Sequence, residues 1–110
     1  MKFRMGQSSS IKRLLAVVAM SVEEEAILKT LGAYEEITIS NSLGIKAKVF
    51  RKNGKELILV TSGIGPVNAG LTTALVADKF QLDGVLLFGV AGAVKPGLEI
   101  GQLVVATEVI

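Results

Sequence analysis

Cysteine, histidine and tryptophan are absent from this 110-residue chain, and proline occurs only twice. Without cysteine there is neither a disulfide nor a thiolate nucleophile. Without histidine the chain builds no Ser–His triad and no His-based metal site. Aromatic residues are scarce, four Phe and one Tyr, and most stand at core-like positions. A nucleic-acid surface needs aromatics interleaved with basic residues on one folded face, so no nucleic-acid partner is expected. No apolar run approaches the roughly 20 residues that cross a bilayer, so no membrane partner is expected either.

The charge is unevenly placed. Lys2, Arg4, Lys12 and Arg13 are four of the twelve basic residues, and no acid precedes Glu23. The formal charge of +2 therefore comes from the amino terminus, and the remainder of the chain is mildly acidic. Residues 1–13 read as a disordered leader and residues 14–110 as one domain, near the lower end of the usual size range. With 50% hydrophobic residues the domain has enough apolar side chains for a core. Lys12-Arg13 ahead of Leu14 to Met20 imitates a signal peptide. The run is short, however, and meets Glu23-Glu24-Glu25 without a small-residue cleavage site. A buried first strand and a cytoplasmic location are the expectation.

Leu14 to Ala19 is apolar without alternation, the pattern of a strand covered on both faces. Ser21 to Leu31 reads as a helix, with Ser21 as N-cap, Glu24 reaching back to it and Gly32 as the stop. Glu35 to Ser40, Ile45 to Arg51 and Glu56 to Thr61 read as strands, the last two joined by an Asn53-Gly54 hairpin turn. Lys46-Ala47-Lys48-Val49 alternates, which predicts one wet face. Gly65-Pro66 opens a second helix with Val67, Leu71, Ala74, Leu75 and Phe80 as its apolar stripe. Gly84 to Phe88 is another buried strand, Lys95-Pro96-Gly97 a turn, and Gly101 to Thr107 a last strand. The fold class is α/β, with a mixed, largely parallel central sheet flanked by helices.

Two glycine turns, Gly63-Ile64-Gly65 and Gly89-Val90-Ala91-Gly92, follow apolar strands. Turns at the carboxyl ends of neighbouring parallel strands form the crevice where open α/β sheets bind small molecules. The first turn also sets backbone N–H groups at a helix amino end, suited to an anion or a sugar edge. It is not the dinucleotide fingerprint, because the third glycine is Gly70 rather than residue 68. Glu23, at the helix end after the first strand, belongs to the same edge. It has two readings of equal weight: general base on water, or complement to the helix dipole alongside Glu24 and Glu25. Met20 beside it would line an apolar floor or simply belong to the core. Asp78 and Asp83 read as solvated. Lys46, Lys48, Arg51 and Lys52 read as charges that keep an exposed strand soluble.

Four pieces in this order carry a family resemblance: Ala19-Met20-Ser21-Val22-Glu23, Ser62-Gly63-Ile64-Gly65-Pro66-Val67-Asn68-Ala69, Gly89-Val90-Ala91-Gly92-Ala93, and Pro96-Gly97-Leu98-Glu99-Ile100-Gly101-Gln102-Leu103-Val104-Val105. From Leu14 to Ile110 the chain resembles the amino-terminal half of the nucleoside phosphorylase superfamily, most closely its 5′-methylthioadenosine/S-adenosylhomocysteine nucleosidase branch. The resemblance implies that Glu23 activates the attacking water. It places Met20 and Ile64 on the ribose and alkylthio side of the pocket, and Val90, Ala91 and Gly92 in the turn beside the nucleoside. Val90 stands where some nucleosidases have Ser. Phosphorylases of the family carry a Gly-Asp-Pro phosphate loop where this chain has Ala19-Met20-Ser21, and tend to show Ser at the place of Asn68. A carboxylate beside phosphate is costly, so hydrolysis of a purine nucleoside is the expected reaction. Phosphorolysis and a non-catalytic nucleoside-binding fragment are the alternatives. The resemblance also implies no cofactor or metal, a role in methionine salvage, and a homodimer in the full-length family. In that family a second half supplies the acid for the leaving base, so this chain reads as a truncated or split half.

Overall fold

The computed structural model describes residues 11–110, so most of the expected leader lies outside the described residues. The elements follow as β1 (Arg13–Val18), α1 (Ser21–Leu31), β2 (Glu35–Ser40), β3 (Ile45–Lys52), β4 (Lys55–Thr61), α2 (Pro66–Lys79) and β5 (Gly84–Phe88). They build one five-stranded sheet in the order β2-β3-β4-β1-β5. β1 runs parallel to both β4 and β5, whereas β2–β3 and β3–β4 are antiparallel. The sheet is therefore mixed, with its parallel pairings gathered at one end.

The unbroken apolar run of β1 needs cover on both faces, and its central position supplies that. Leu15 and Val17 join Ile58, Val60, Ala47, Val49 and Val76 in one core cluster. Ala16 and Val18 join Leu59 and Phe50 on the other face. α2 covers the first face through Val76, with Phe80 and Leu82 packed alongside. α1 covers the second through Ile27 and Leu28. At the β3–β4 hairpin Asn53 and Gly54 both have positive φ, 54° and 74°. That is the backbone a two-residue primed turn requires, and it leaves Lys52 opposite Lys55.

Several expectations are corrected. Arg13 already belongs to β1, and the Lys12 carbonyl accepts from Glu56 N–H at 2.7 Å, so chain order begins before residue 14. The stripe of α2 is rotated. Thr72 and Val76 are the buried residues, while Val67 is 81% exposed and Leu71 46%. Of the expected stripe Phe80 does pack against the core, but Thr72 and Val76 precede it at the same helical spacing that relates Val67, Leu71 and Leu75, so periodicity alone did not choose the rotation. Residues 101–107 form no strand and are exposed throughout. A strand exists only by pairing, and the local bonds here, Gln102 N–H to the Glu99 carbonyl and Glu99 N–H to Gln102 Oε1, close a turn instead. Asp83 is not merely solvated: its carboxylate accepts the backbone N–H groups of Lys12 and Arg13 at 2.8 and 2.9 Å, fixing the start of β1. Those two bonds hold its carboxyl below the usual aspartate range. Among the described residues no helix is long and apolar enough to cross a membrane.

The two faces of this sheet differ less in importance than its two ends. Leu15→Ala, at a position with no exposure, is expected to cost about 2 to 5 kcal/mol. Leu87→Ala, at 76% exposure, is expected to stay within about 0.5 kcal/mol. Urea unfolding of both variants checks this, and comparable losses would contradict the assignment of the core to the β3–β4–β1 end.

Candidate functional site

In the parallel ladder Val18 is paired with Thr61 on one side and Phe88 on the other. Three strands thus end level, and the segments that follow them emerge along one edge of the sheet. Ser62 N–H donates to the Val18 carbonyl at 2.8 Å, which ties the turn after β4 to the end of β1. That turn needs glycine at two points: Gly63 has φ +86° and Gly65 φ +100°. Asn68 closes the turn, its Nδ2 donating to the Ile64 carbonyl at 2.8 Å. A Cβ on Gly63 would stand 3.2 Å from that same Nδ2.

Glu23 is placed by the end of β1. The helix begins one residue earlier than the expected capping box: Met20 is the N-cap and Ser21 the first helical residue. A carboxylate three residues after the N-cap can reach back. Here that is Glu23, whose Oε1 accepts the N–H groups of Met20 at 3.0 Å and Ala19 at 3.2 Å. Its Oε2 lies 3.3 Å from the point where a Cβ on Gly89 would stand, so the second glycine turn lets its backbone approach the carboxylate.

These pieces surround an open cavity of about 390 Å³ lined by Ala19, Met20, Glu23, Ile64, Leu87, Phe88, Gly89 and Val90. Met20, Glu23, Ile64 and Val90 are thus brought together from three separate segments. Ala91 and Gly92 are exposed and lie outside this lining. Sequence reasoning did not single out Leu87 or Phe88, and it named Ala19 only as part of a motif; the in-register strand ends put them there, and register is not written in a single strand. Glu23 is the only charged side chain of the lining. One carboxylate is far from the several oxygen ligands that a hard metal ion requires.

Glu24 faces elsewhere. One carboxylate oxygen takes a hydrogen bond and ion pair from Lys48 Nζ, and the other accepts from Thr61 Oγ1. Partial burial pushes the Glu24 carboxyl up, but the Lys48 and Thr61 bonds together outweigh it and hold the group below its ordinary value. The Glu24 bond raises Lys48 in turn, against its own partial burial. Lys48 therefore does not stand on a wet face as expected. α1 covers that side of β3, and the ammonium sits 5.7 Å from the Tyr34 ring centroid. Arg51, also expected to be a solubilising charge, pairs with Glu35 and Glu56.

The profile of the phosphorylase superfamily matches residues 13–110. The chain belongs to that superfamily. Among similar proteins, the 5′-methylthioadenosine/S-adenosylhomocysteine nucleosidase of Geobacillus thermodenitrificans is 38% identical over 96 residues, covering 86% of this chain and 39% of that protein. The nucleosidase of the same name from Listeria innocua is 39% identical over 88 residues, covering 80% of this chain and 36% of its own length. The crystal structure of S-adenosylhomocysteine nucleosidase from Streptococcus pyogenes in complex with 5-methylthiotubericidin superposes with a TM-score of 0.72 at 29% identity. That match covers 86% of this chain and 39% of the other. The chain spans about two fifths of the length of the relatives it matches.

The Glu24 carboxyl gives a pH dependence whose sign is fixed. Its folded value lies below the ordinary 4.5, so below that point the unfolded chain binds the proton first. Its stabilising contribution is complete above about 4.5 and is lost as pH falls through the lower folded value. Glu24→Gln should therefore lose less stability than the native chain between pH 5 and pH 3, measured as urea midpoints. Parallel pH profiles would show that the Lys48–Thr61 clasp does not exist in solution.

Proposed function

We propose that this chain forms one wall of a nucleosidase site, at which the N-glycosidic bond of a purine nucleoside of the methylthioadenosine/S-adenosylhomocysteine class is hydrolysed. The observation that carries the proposal is the Glu23 carboxylate, held by two backbone N–H groups at the rim of an apolar cavity between two glycine turns. Membership of the superfamily and the names of the relatives supply the substrate class.

The chemistry follows from that placement. As the bond between the sugar and the base stretches, positive charge builds on the sugar carbon and ring oxygen. A water on the opposite face supplies the electron pair for the new C–O bond, and Glu23 takes its proton. The leaving base takes up the electrons of the broken bond and is protonated by an acid outside this wall. Two N–H bonds to Oε1 fix the carboxylate while Oε2 remains toward Gly89. Met20 and Ile64 offer apolar surface to the 5′ substituent, and Val90 packs beside the nucleoside without the hydroxyl that Ser would bring.

Water is favoured over phosphate on electrostatic grounds. Two like charges about 4 Å apart repel by about 4 kcal/mol at the effective dielectric of a protein surface, and phosphate brings up to two charges against Glu23. No cationic side chain in the lining offsets that repulsion.

The test is a chimera in which residues 13–110 replace the matching segment of the Geobacillus relative. It should release adenine from 5′-methylthioadenosine without added phosphate. Glu23→Gln should lower the turnover by about 10²- to 10⁴-fold while a substrate analogue still binds. Phosphate-dependent release, or unchanged turnover in the Gln variant, would refute the role given to Glu23.

A further inference from the structure

The first turn of α1 carries the proposed base, yet little holds that turn to the sheet. α1 contributes no fully buried residue. Its apolar contacts with the core come from Ile27 and Leu28, four and five positions after Glu23. Ser21 and Val22 are exposed. The hydrogen bonds of Glu23 to Ala19 and Met20 are local, within the turn itself, and do not reach a neighbouring strand.

Glu24 does reach across. Lys48 lies on β3 and Thr61 ends β4, and the two donors take different oxygens of the one carboxylate. The clasp is largely covered, with side-chain exposure of 18% for Lys48 and 14% for Glu24. Thr61 immediately precedes Ser62, whose N–H is bonded to the Val18 carbonyl. Glu24 therefore links the turn that carries Glu23 to the turn that carries Ile64, the two sides of the cavity. We propose that Glu24, with Lys48 and Thr61, is a positioning residue that holds the Glu23 carboxylate at its station on the cavity rim.

Geometry sets the size of the effect. At a rise of 1.5 Å per residue, Glu23 lies about 6 to 7.5 Å along the helix from its apolar anchor. A pivot of about 10° there moves it by about 1 Å, and a displacement of that size can cost about 100-fold in rate. An ion pair that only served the helix dipole would point to solvent and would need no hydroxyl from β4. The catalytic consequence of the clasp rests on the reading of Glu23 given above, whereas its structural consequence does not.

The test uses Thr61→Val, which removes one donor at nearly constant shape, with Thr61→Ser as the conservative variant and Glu24→Gln as a second lesion. In the 110-residue chain, amide hydrogen exchange at Ala19 and Met20 reports the Glu23 bonds directly. Thr61→Val and Glu24→Gln should speed exchange at these two amides by about tenfold or more relative to Val17, and Thr61→Ser should restore the native rates. In the chimera Thr61→Val should lower kcat by about tenfold or more, with KM within about twofold. Exchange that rises uniformly along β1, or stays unchanged at Ala19 and Met20, would overturn the proposal. If the unsubstituted chimera hydrolyses nothing, the nucleosidase reading falls, and the amide comparison alone decides whether the clasp positions Glu23.

Discussion

Pairing of β1 with a parallel neighbour on each side is the constraint from which the site follows. A strand with no polar side chain between Leu14 and Val18 has nowhere to go but between two others, under a helix on each face. Once it is there, Val18 stands level with Thr61 and Phe88. The segments after all three strands then leave the sheet at one edge, whatever their sequences. Chemistry at that edge becomes a question of which residues those segments carry and how closely their backbones approach. Glycine answers the second question. Gly63 and Gly65 adopt positive φ, and at Gly89 the missing side chain leaves room for a carboxylate that a Cβ would crowd.

The run Glu23-Glu24-Glu25 shows how little composition says about role. All three glutamates suit the amino end of a helix dipole, and no local rule ranks them. Successive residues on a helix point about 100° apart, so one docked helix sends them to three environments. Glu23 folds back onto the N-cap, Glu24 is clasped by two strands, and Glu25 is left exposed. The division of work is made by the sheet beneath the helix. For that reason Lys48, which alternation assigned to solvent, is inseparable from Glu24.

Legibility in the sequence followed the reach of the interaction involved. The Asn53-Gly54 hairpin, the Gly32 stop and the glycine-proline start of α2 are decided within a few residues, and the reading of each agrees with the structure. Strands β1 and β4 were readable because burial on both faces leaves a continuous apolar run. The rotation of α2 was not readable, since its apolar arc is wide enough to offer two stripes. The strand expected over residues 101–107 has strand composition but no partner among the described residues, and pairing cannot be read from one strand. At the site, Glu23, Met20, Ile64 and Val90 were each singled out from motifs, while the cavity joining them is a product of register. Lys48 was misread, and Asp83, exposed as expected, was missed as the anchor of β1, for the same reason: their partners lie 24 and 70 residues away in sequence.

The character of the cavity wall bears on why the placement of Glu23 has to be rigid. Seven of the eight lining residues offer no ionisable group, and most offer only hydrocarbon. Such a surface fits a ligand by shape and excludes water from it, but it directs few hydrogen bonds and so does little to orient a sugar. In the proposed reaction the water must approach the sugar carbon along one line, and the only side chain on this wall able to define that line is Glu23. Its direction is set by two backbone N–H groups, and those groups are set in turn by where the helix begins. A carboxylate whose geometry exists before the ligand arrives needs no reorganisation when the bond breaks. Mobility in the first turn of α1 would therefore be felt in the rate of the chemical step, while the apolar wall would go on binding the ligand as before.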